Sequence, residues 1–193
     1  LDPYFSATKI EWWLTNEPEL ARAARAGRVC FGTVDALVLA HLTSAQTFAT
    51  DPTNASRTLC FGLESGVFEP DLAALFGIDV GWLPEVRPSC GDFGFTDPTR
   101  SAGRALPIRA VLGDQQAALF GQGCVEAGDL KITFGTGSFL LLNTGRARVR
   151  SQGGLLTTLA LGRRGESVFA LEGSVFVAGA LVQWLRDGLA LIA

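Results

Sequence analysis

Gly113-Asp114-Gln115-Gln116-Ala117-Ala118-Leu119-Phe120 is the stretch on which the reading of this chain turns. An apolar run at 108–112 precedes it and predicts a strand. The residues after Asp114 carry Ala117, Leu119 and Phe120 among their apolar positions and predict a helix over 115–125. An acidic residue at a strand-to-helix junction sits where unpaired backbone N–H groups point outward and ligands commonly bind. Two readings of Asp114 follow. One is a helix cap, which contributes about 1 kcal/mol. The other is a general base that orients and deprotonates a substrate hydroxyl, an effect of roughly 10²–10⁴ in rate.

Phe134-Gly135-Thr136-Gly137 joins two apolar runs at 130–134 and 138–142. This predicts a hairpin with a glycine turn. The glycines also permit close approach of a phosphate to the backbone, with the Thr136 hydroxyl and N–H as donors. A plain hairpin turn and an anion grip both fit Gly135, Thr136 and Gly137. Taken with Asp114, the second reading suggests transfer of a phosphoryl group to an alcohol.

Three further observations bear on a site. Tyr4 and Phe139 read either as core aromatics or as a wall against the carbons of a small polyol. Gly179 and Gln183 lie four apart, on one face of a predicted final helix over 175–189. Gln183 is polar on an otherwise apolar stretch, facing either solvent or a ligand.

Composition bounds the rest. The chain has 193 residues, 48% of them hydrophobic and 18% charged, so it can bury a sizeable core. The net charge of −3 gives no general pull toward nucleic acid or anionic membranes. No apolar run approaches the roughly 18–20 residues of a membrane span. Arg22, Arg25 and Arg28 form the densest basic group, read as a solvated face. The four cysteines, Cys30, Cys60, Cys90 and Cys124, contain no CxxC pair, which argues against a zinc site. They read as buried free thiols in a reducing cytoplasm. A single histidine, His41, leaves no multi-His metal chemistry and reads as structural, and no metal ligand is assigned. The chain starts without Met and without a signal pattern, and is expected to be an internal fragment of a longer protein.

The remaining elements follow from spacing. A helix is expected over 7–15 with Ser6 as its cap, and another over 17–26 with Gly27 just past its end. Thr33 is placed to cap a helix over Val34–Leu42. An ordered polar loop is expected over 43–68, a helix starting at Pro70, and an exposed connection over 84–107. Two more strands, 155–161 and 167–171, are joined by Gly162-Arg163-Arg164-Gly165. Alternating strand-rich and helix-rich segments predict an α/β fold. A composition shift at Gly121-Gln122-Gly123 marks a candidate domain boundary.

In combination these blocks resemble the FGGY carbohydrate kinases, and within them the members that act on glycerol. The likeness covers essentially the whole chain. It runs through Asp2-Pro3-Tyr4-Phe5-Ser6, Phe31-Gly32-Thr33-Val34-Asp35, Thr53-Asn54-Ala55-Ser56-Arg57-Thr58, Gly113-Asp114-Gln115-Gln116, Phe134-Gly135-Thr136-Gly137 and Glu172-Gly173-Ser174-Val175-Phe176. The resemblance implies an actin-like, RNase H-like ATPase fold of two α/β domains. Residues 1–121 would be the C-terminal part of the first domain, on the polyol side, and 122–193 the N-terminal part of the second, on the nucleotide side. It implies ATP-dependent phosphorylation of glycerol by a cytoplasmic enzyme, homo-oligomeric at full length. ATP and Mg²⁺ would be required, and neither nucleic acid nor a membrane would be a partner.

By the same resemblance Asp114 is the catalytic base, and Tyr4, Gln115 and Phe139 contact the polyol. Gly135, Thr136, Gly137, Gly179 and Gln183 line the nucleotide site. A kinase for another polyol or a ketopentose, or a folded fragment inactive by itself, are the alternatives. Two positions depart from the family pattern. Phe134 stands where Tyr is usual. Gly103-Arg104-Ala105 keeps only the glycine of the Gly-Thr-Arg that binds an allosteric sugar bisphosphate in some relatives, which argues against that control here.

Overall fold

The computed structural model describes residues 4–192, so the Asp2-Pro3 portion of the first resemblance block lies outside the described residues. The chain divides into two compact units, one up to Gly113 and one from Asp114 onward.

The first unit is built mainly from short helices: α1 (Ser6–Asn16), α2 (Pro18–Arg25), α3 (Val34–Leu42), α4 (Pro52–Ala55) and α5 (Pro70–Ala74). A two-residue parallel pairing joins β1 (Ala49–Thr50) to β2 (Glu85–Val86). Ala7 and Ile10 of α1 and Ala24 of α2 pack with Phe31, Cys60, Ala73, Phe76 and Ile78 into one core. A second cluster joins Leu39, Ala49 and Phe93. Local signals work as expected in α2. Pro18 opens it, and Arg22 and Arg25 occupy its last turn, where the helix dipole favours cations. Gly27, at φ +68°, closes it. The Gly27 N–H reaches Ala24 O at 2.9 Å and the Arg28 N–H reaches Ala23 O at 2.9 Å, the paired bonds of a Schellman end.

Several expectations in this unit are corrected. Ser6 is the first residue of α1; Phe5 holds the cap position, without a capping side chain. Thr33 does precede α3, but its hydroxyl makes no cap bond and turns toward Thr50 Oγ1 at 3.5 Å. The 84–107 segment is not simply exposed: Ser89, Phe93 and Thr96 are buried, and bridges tie Cys90 to Ala110 and Phe95 to Pro107. The same bridges replace the strand expected at 108–112, whose N–H groups bond irregular backbone rather than a continuous ladder. The cysteines are free, but only Cys60 is buried; Cys30 and Cys90 are exposed and Cys124 is half-buried. His41 is exposed at the end of α3, with Arg100 Nη1 3.1 Å from its Nδ1.

The second unit is a four-stranded antiparallel sheet with one helix on it. Strands β3 (Leu130–Phe134), β4 (Ser138–Gly145), β5 (Leu156–Leu161) and β6 (Ser167–Val175) lie in the order β3-β4-β6-β5. The hairpin across 135–137 pairs Phe134 with Ser138, as its glycine turn predicts. The turn before β6 closes with the Gly162 N–H on Glu166 O at 2.8 Å. Helix α6 (Asp114–Gly121) lays Leu119 onto Leu141, Ala160, Val168 and Ala170. It ends at Gly121 rather than near 125, because Gly121, Gly123 and the turn around them interrupt the pattern. The final helix is shorter than expected as well. Residue 175 still belongs to β6, so α7 spans only Gly179–Gln183 and continues as a wider π-helical turn, Trp184–Gly188.

Candidate functional site

Eight of the nine sequence-predicted site residues fall in the second unit, from Asp114 to Gln183; Tyr4 falls in the first.

Helix α6 opens on Asp114, which is exposed. Its Oδ1 accepts the Gln115 N–H at 2.8 Å. That bond is to the next residue, not to the N–H two or three positions on that a capping side chain serves. The carboxylate therefore sits at the positive end of the helix and stays open to solvent. Gln115, half-buried beside it, presents its Oε1 to Lys131 Nζ at 2.5 Å.

Lys131 was not anticipated from the sequence. It lies on β3, where Leu130, Ile132 and Phe134 alternate with Lys131 and Thr133. Ordinary patterning would put the lysine in water. The reverse is found: Lys131 is 2% exposed, Ile132 42% and Phe134 78%. Pairing explains it. Lys131 faces Leu141, and Leu141 faces Glu172, so all three share the sheet face that α6 covers. Burial pulls the Lys131 pKa down, while the nearby Asp114 and Glu172 carboxylates push it back up. Alternation puts Phe139 on this same face, opposite Thr133 and Ser174 and two residues nearer the glycine turn than Leu141. Phe139 is half-buried, neither a core residue nor a free one.

The glycine turn is held by the segment after β6. The Gly179 N–H donates to Gly135 O at 2.9 Å, and the Ala178 and Ala180 N–H groups donate to Thr136 O at 2.8 and 3.2 Å. A Cβ on Gly179 would stand 2.5 Å from Gly135 O, and one on Gly137 would stand 2.7 Å from Val175 O. Only glycine allows these approaches. Of the turn's own donors, the Gly135 N–H is consumed within it, bonding Gly137 O at 2.8 Å. Among the described residues, the Thr136 N–H and hydroxyl have no partner, and Thr136 is exposed. So Gly135, Thr136, Gly137 and Gly179 meet in one tight turn, on which Thr136 is exposed. Gln183 ends α7, one turn from Gly179, and is exposed.

In the first unit Tyr4 is 64% exposed. It stands edge-on to Phe5, with the Arg57 guanidinium 5.6 Å from its ring centre. It is therefore a surface aromatic, not a core one. A groove of about 420 Å³ lies among Ile10, Trp13, Phe31, Leu37 and Phe48 and includes none of the predicted site residues. Nearby, Asp51 is fully buried and serves as a hub. It accepts the N–H groups of Thr53 and Asn54 at the start of α4 and the Ser89 hydroxyl at 2.6 Å. The Thr53 hydroxyl donates to Asp51 Oδ2 at 2.7 Å and accepts the Gly113 N–H at 2.8 Å. Gly113 is the residue to which Asp114 is joined.

Comparison with known proteins settles the family. The model for the N-terminal domain of the FGGY family of carbohydrate kinases matches residues 1–121, and that for the C-terminal domain matches residues 130–192. The chain belongs to the FGGY carbohydrate kinases. Within this family it is 58% identical to a glycerol kinase of Thermus brockianus over 187 residues, 97% of this chain and 38% of that protein. It is 53% identical to one from Shewanella sp. (strain MR-4) over 192 residues, 100% of this chain and 39% of that protein.

The Plasmodium falciparum glycerol kinase with ADP superposes at a TM-score of 0.90 and 36% identity, over 97% of this chain and 38% of that one. A xylulose kinase from Rhodospirillum rubrum shares the fold at a TM-score of 0.77 and 23% identity, over 97% of this chain and 38% of that one. The FGGY chain thus spans somewhat over a third of the length of the relatives it matches. It carries parts of both domains of the actin-like ATPase fold.

Proposed function

We propose that the protein to which this chain belongs phosphorylates glycerol with ATP, yielding glycerol 3-phosphate and ADP. The observation that carries the reading is the joint placement of Asp114 and the glycine turn. An exposed carboxylate at a helix N-terminus and a glycine turn with the exposed Thr136 N–H and hydroxyl stand on one helix-and-sheet unit. That is a proton acceptor and an anion grip. The glycerol kinases at 50–58% identity supply the substrate.

Phosphoryl transfer demands positioning and charge stabilisation more than covalent chemistry. Asp114 takes the proton of the terminal hydroxyl as that oxygen attacks the γ-phosphorus in line. The O–P bond to the sugar alcohol forms as the bond to the ADP oxygen breaks. Gln115 binds a glycerol hydroxyl, Phe139 and Tyr4 contact the carbon side, and the Gly135-Thr136-Gly137 turn holds phosphate oxygens. Gly179 and Gln183 line the nucleotide. The described residues contain no cluster of three or more His, Cys, Asp or Glu side chains fit to hold a metal. Mg²⁺ bound with the nucleotide would offset the negative charge of the phosphates.

Residues 1–121 are assigned the polyol side and 122–193 the nucleotide side of a cytoplasmic, homo-oligomeric enzyme. No helix among the described residues is long and apolar enough to cross a membrane.

A coupled ADP-release assay of the full-length protein against glycerol, erythritol, xylulose and ribulose tests the reading. Glycerol is expected to give the highest kcat/KM. Asp114→Asn should lower kcat by roughly 10²–10⁴ while nucleotide affinity holds. A ketopentose preferred over glycerol, or an Asn variant within a few-fold of wild type, would sink it. The 193 residues by themselves, being under two-fifths of the relatives' length, are expected not to release ADP.

A further inference from the structure

From the Lys131–Gln115 contact we infer that Lys131 is a positioning residue for substrate. It fixes the amide of Gln115 so that its NH₂ group, and not its carbonyl, faces the glycerol site. The inference rests on the reading of Gln115 as a glycerol contact and adds the device that orients it.

Lys131 Nζ has three donors and no acceptor. The atom of Gln115 that meets it at 2.5 Å must therefore be the oxygen. Amide O and N are nearly equivalent in shape and flip readily, so an unconstrained glutamine offers either end to a substrate. Here the choice is removed. With Oε1 committed to Lys131, only the Nε2 hydrogens remain, and Gln115 becomes a donor to a substrate oxygen.

The neighbouring carboxylate of Asp114 is an acceptor. The two adjacent side chains thus present opposite hydrogen-bonding polarity, as is needed to hold a hydroxyl oxygen while its proton is withdrawn. Lys131 stays in place because the sheet face around it is covered by α6, and because Asp114 and Glu172 supply the negative charge that a buried cation requires.

The test uses the full-length protein with Lys131→Met, Gln115→Glu and the double variant. Lys131→Met keeps the stem and removes the donor, leaving the amide free to flip. Glycerol KM is expected to rise about tenfold, the loss of one oriented hydrogen bond, with ATP KM nearly unchanged. A purely structural lysine would lower the active fraction, and so kcat, but not glycerol KM. Gln115→Glu gives the ammonium a better partner and abolishes the NH₂ donor. The unfolding midpoint should hold or rise while glycerol KM rises at least as much as in Lys131→Met. Should Lys131→Met fail to fold, Gln115→Glu carries the kinetic test alone.

Unfolding free energies of the two single variants and the double variant add a readout independent of substrate. The double variant should be less stable than the singles sum to, because the new carboxylate then lacks its cation. Additive stabilities, or a glycerol KM like wild type in a folded variant, would overturn the inference. A wild-type protein that ignores glycerol would instead overturn the functional reading and leave the stability coupling to decide the contact.

Discussion

The Gly179 N–H bonds the carbonyl of Gly135 at 2.9 Å, so the start of α7 is strapped directly to the glycine turn between β3 and β4. Residues 44 positions apart in the chain therefore act as one structural piece. Gly179→Ala would drive a Cβ to 2.5 Å from that carbonyl, against backbone that cannot swing aside. The turn must shift, and if it holds phosphate as proposed, a displacement of about 1 Å costs on the order of 10² in kcat/KM. In the full-length protein the loss should appear in kcat/KM for ATP, with glycerol KM little moved. Unchanged ATP kinetics would detach α7 from the nucleotide site.

Thr53 links the buried Asp51 to Gly113 through one hydroxyl. Thr53→Val is nearly isosteric but leaves the half-buried Gly113 N–H without its partner, while Asp51 keeps the Thr53 and Asn54 N–H groups and the Ser89 hydroxyl. One such donor costs about 1–3 kcal/mol, so a loss in that range is expected. Thr53→Ser keeps the hydroxyl and should cost under about 1.5 kcal/mol. Denaturant unfolding distinguishes them; equal losses would mean that the methyl group, not the hydroxyl, matters.

Asp35 has an Oδ1 buried without a hydrogen-bond partner. Burial raises its pKa above the ordinary 3.8, and the charge on Asp51 adds to the rise, while the neighbouring Thr33 and Thr50 hydroxyls oppose it. The folded state therefore holds this proton to higher pH than the unfolded chain does. Its contribution to stability is fully present below 3.8 and is lost as pH rises through the folded value. Asp35→Asn cannot lose a proton, so it should gain on the wild type as pH climbs from about 3.5 to about 7. Parallel stability curves for the two proteins would show that Asp35 does not titrate differently on folding.

Cys60 is buried, and burial pushes its thiol up to about 11, so almost no thiolate exists near neutral pH. Cys30 and Cys90 are exposed. Iodoacetamide at mildly alkaline pH should alkylate Cys30 and Cys90 in the folded chain and reach Cys60 only with denaturant. Mass spectrometry of the peptides checks this; early labelling of Cys60 would mean that the Phe31–Ile78 core opens readily.

Local chemistry determined much of this protein from sequence alone. The end of α2 at Gly27, the hairpin across Gly135-Thr136-Gly137, the Gly162–Gly165 turn and the helix opening at Asp114 each depend on neighbours within a few residues. Those signals are complete in the sequence, and so is the run of family motifs. Tertiary structure decided what depends on distant partners. Lys131 reads as a surface residue until β3 pairs with β4 and α6 covers one face, because period-two alternation separates two faces without saying which is buried. The 108–112 run reads as a strand until its backbone bonds prove to go to scattered positions such as Ser89, Gly91 and Gly94. Thr53 and Gly113 stand 60 residues apart, and only the folded chain brings that hydroxyl to that N–H.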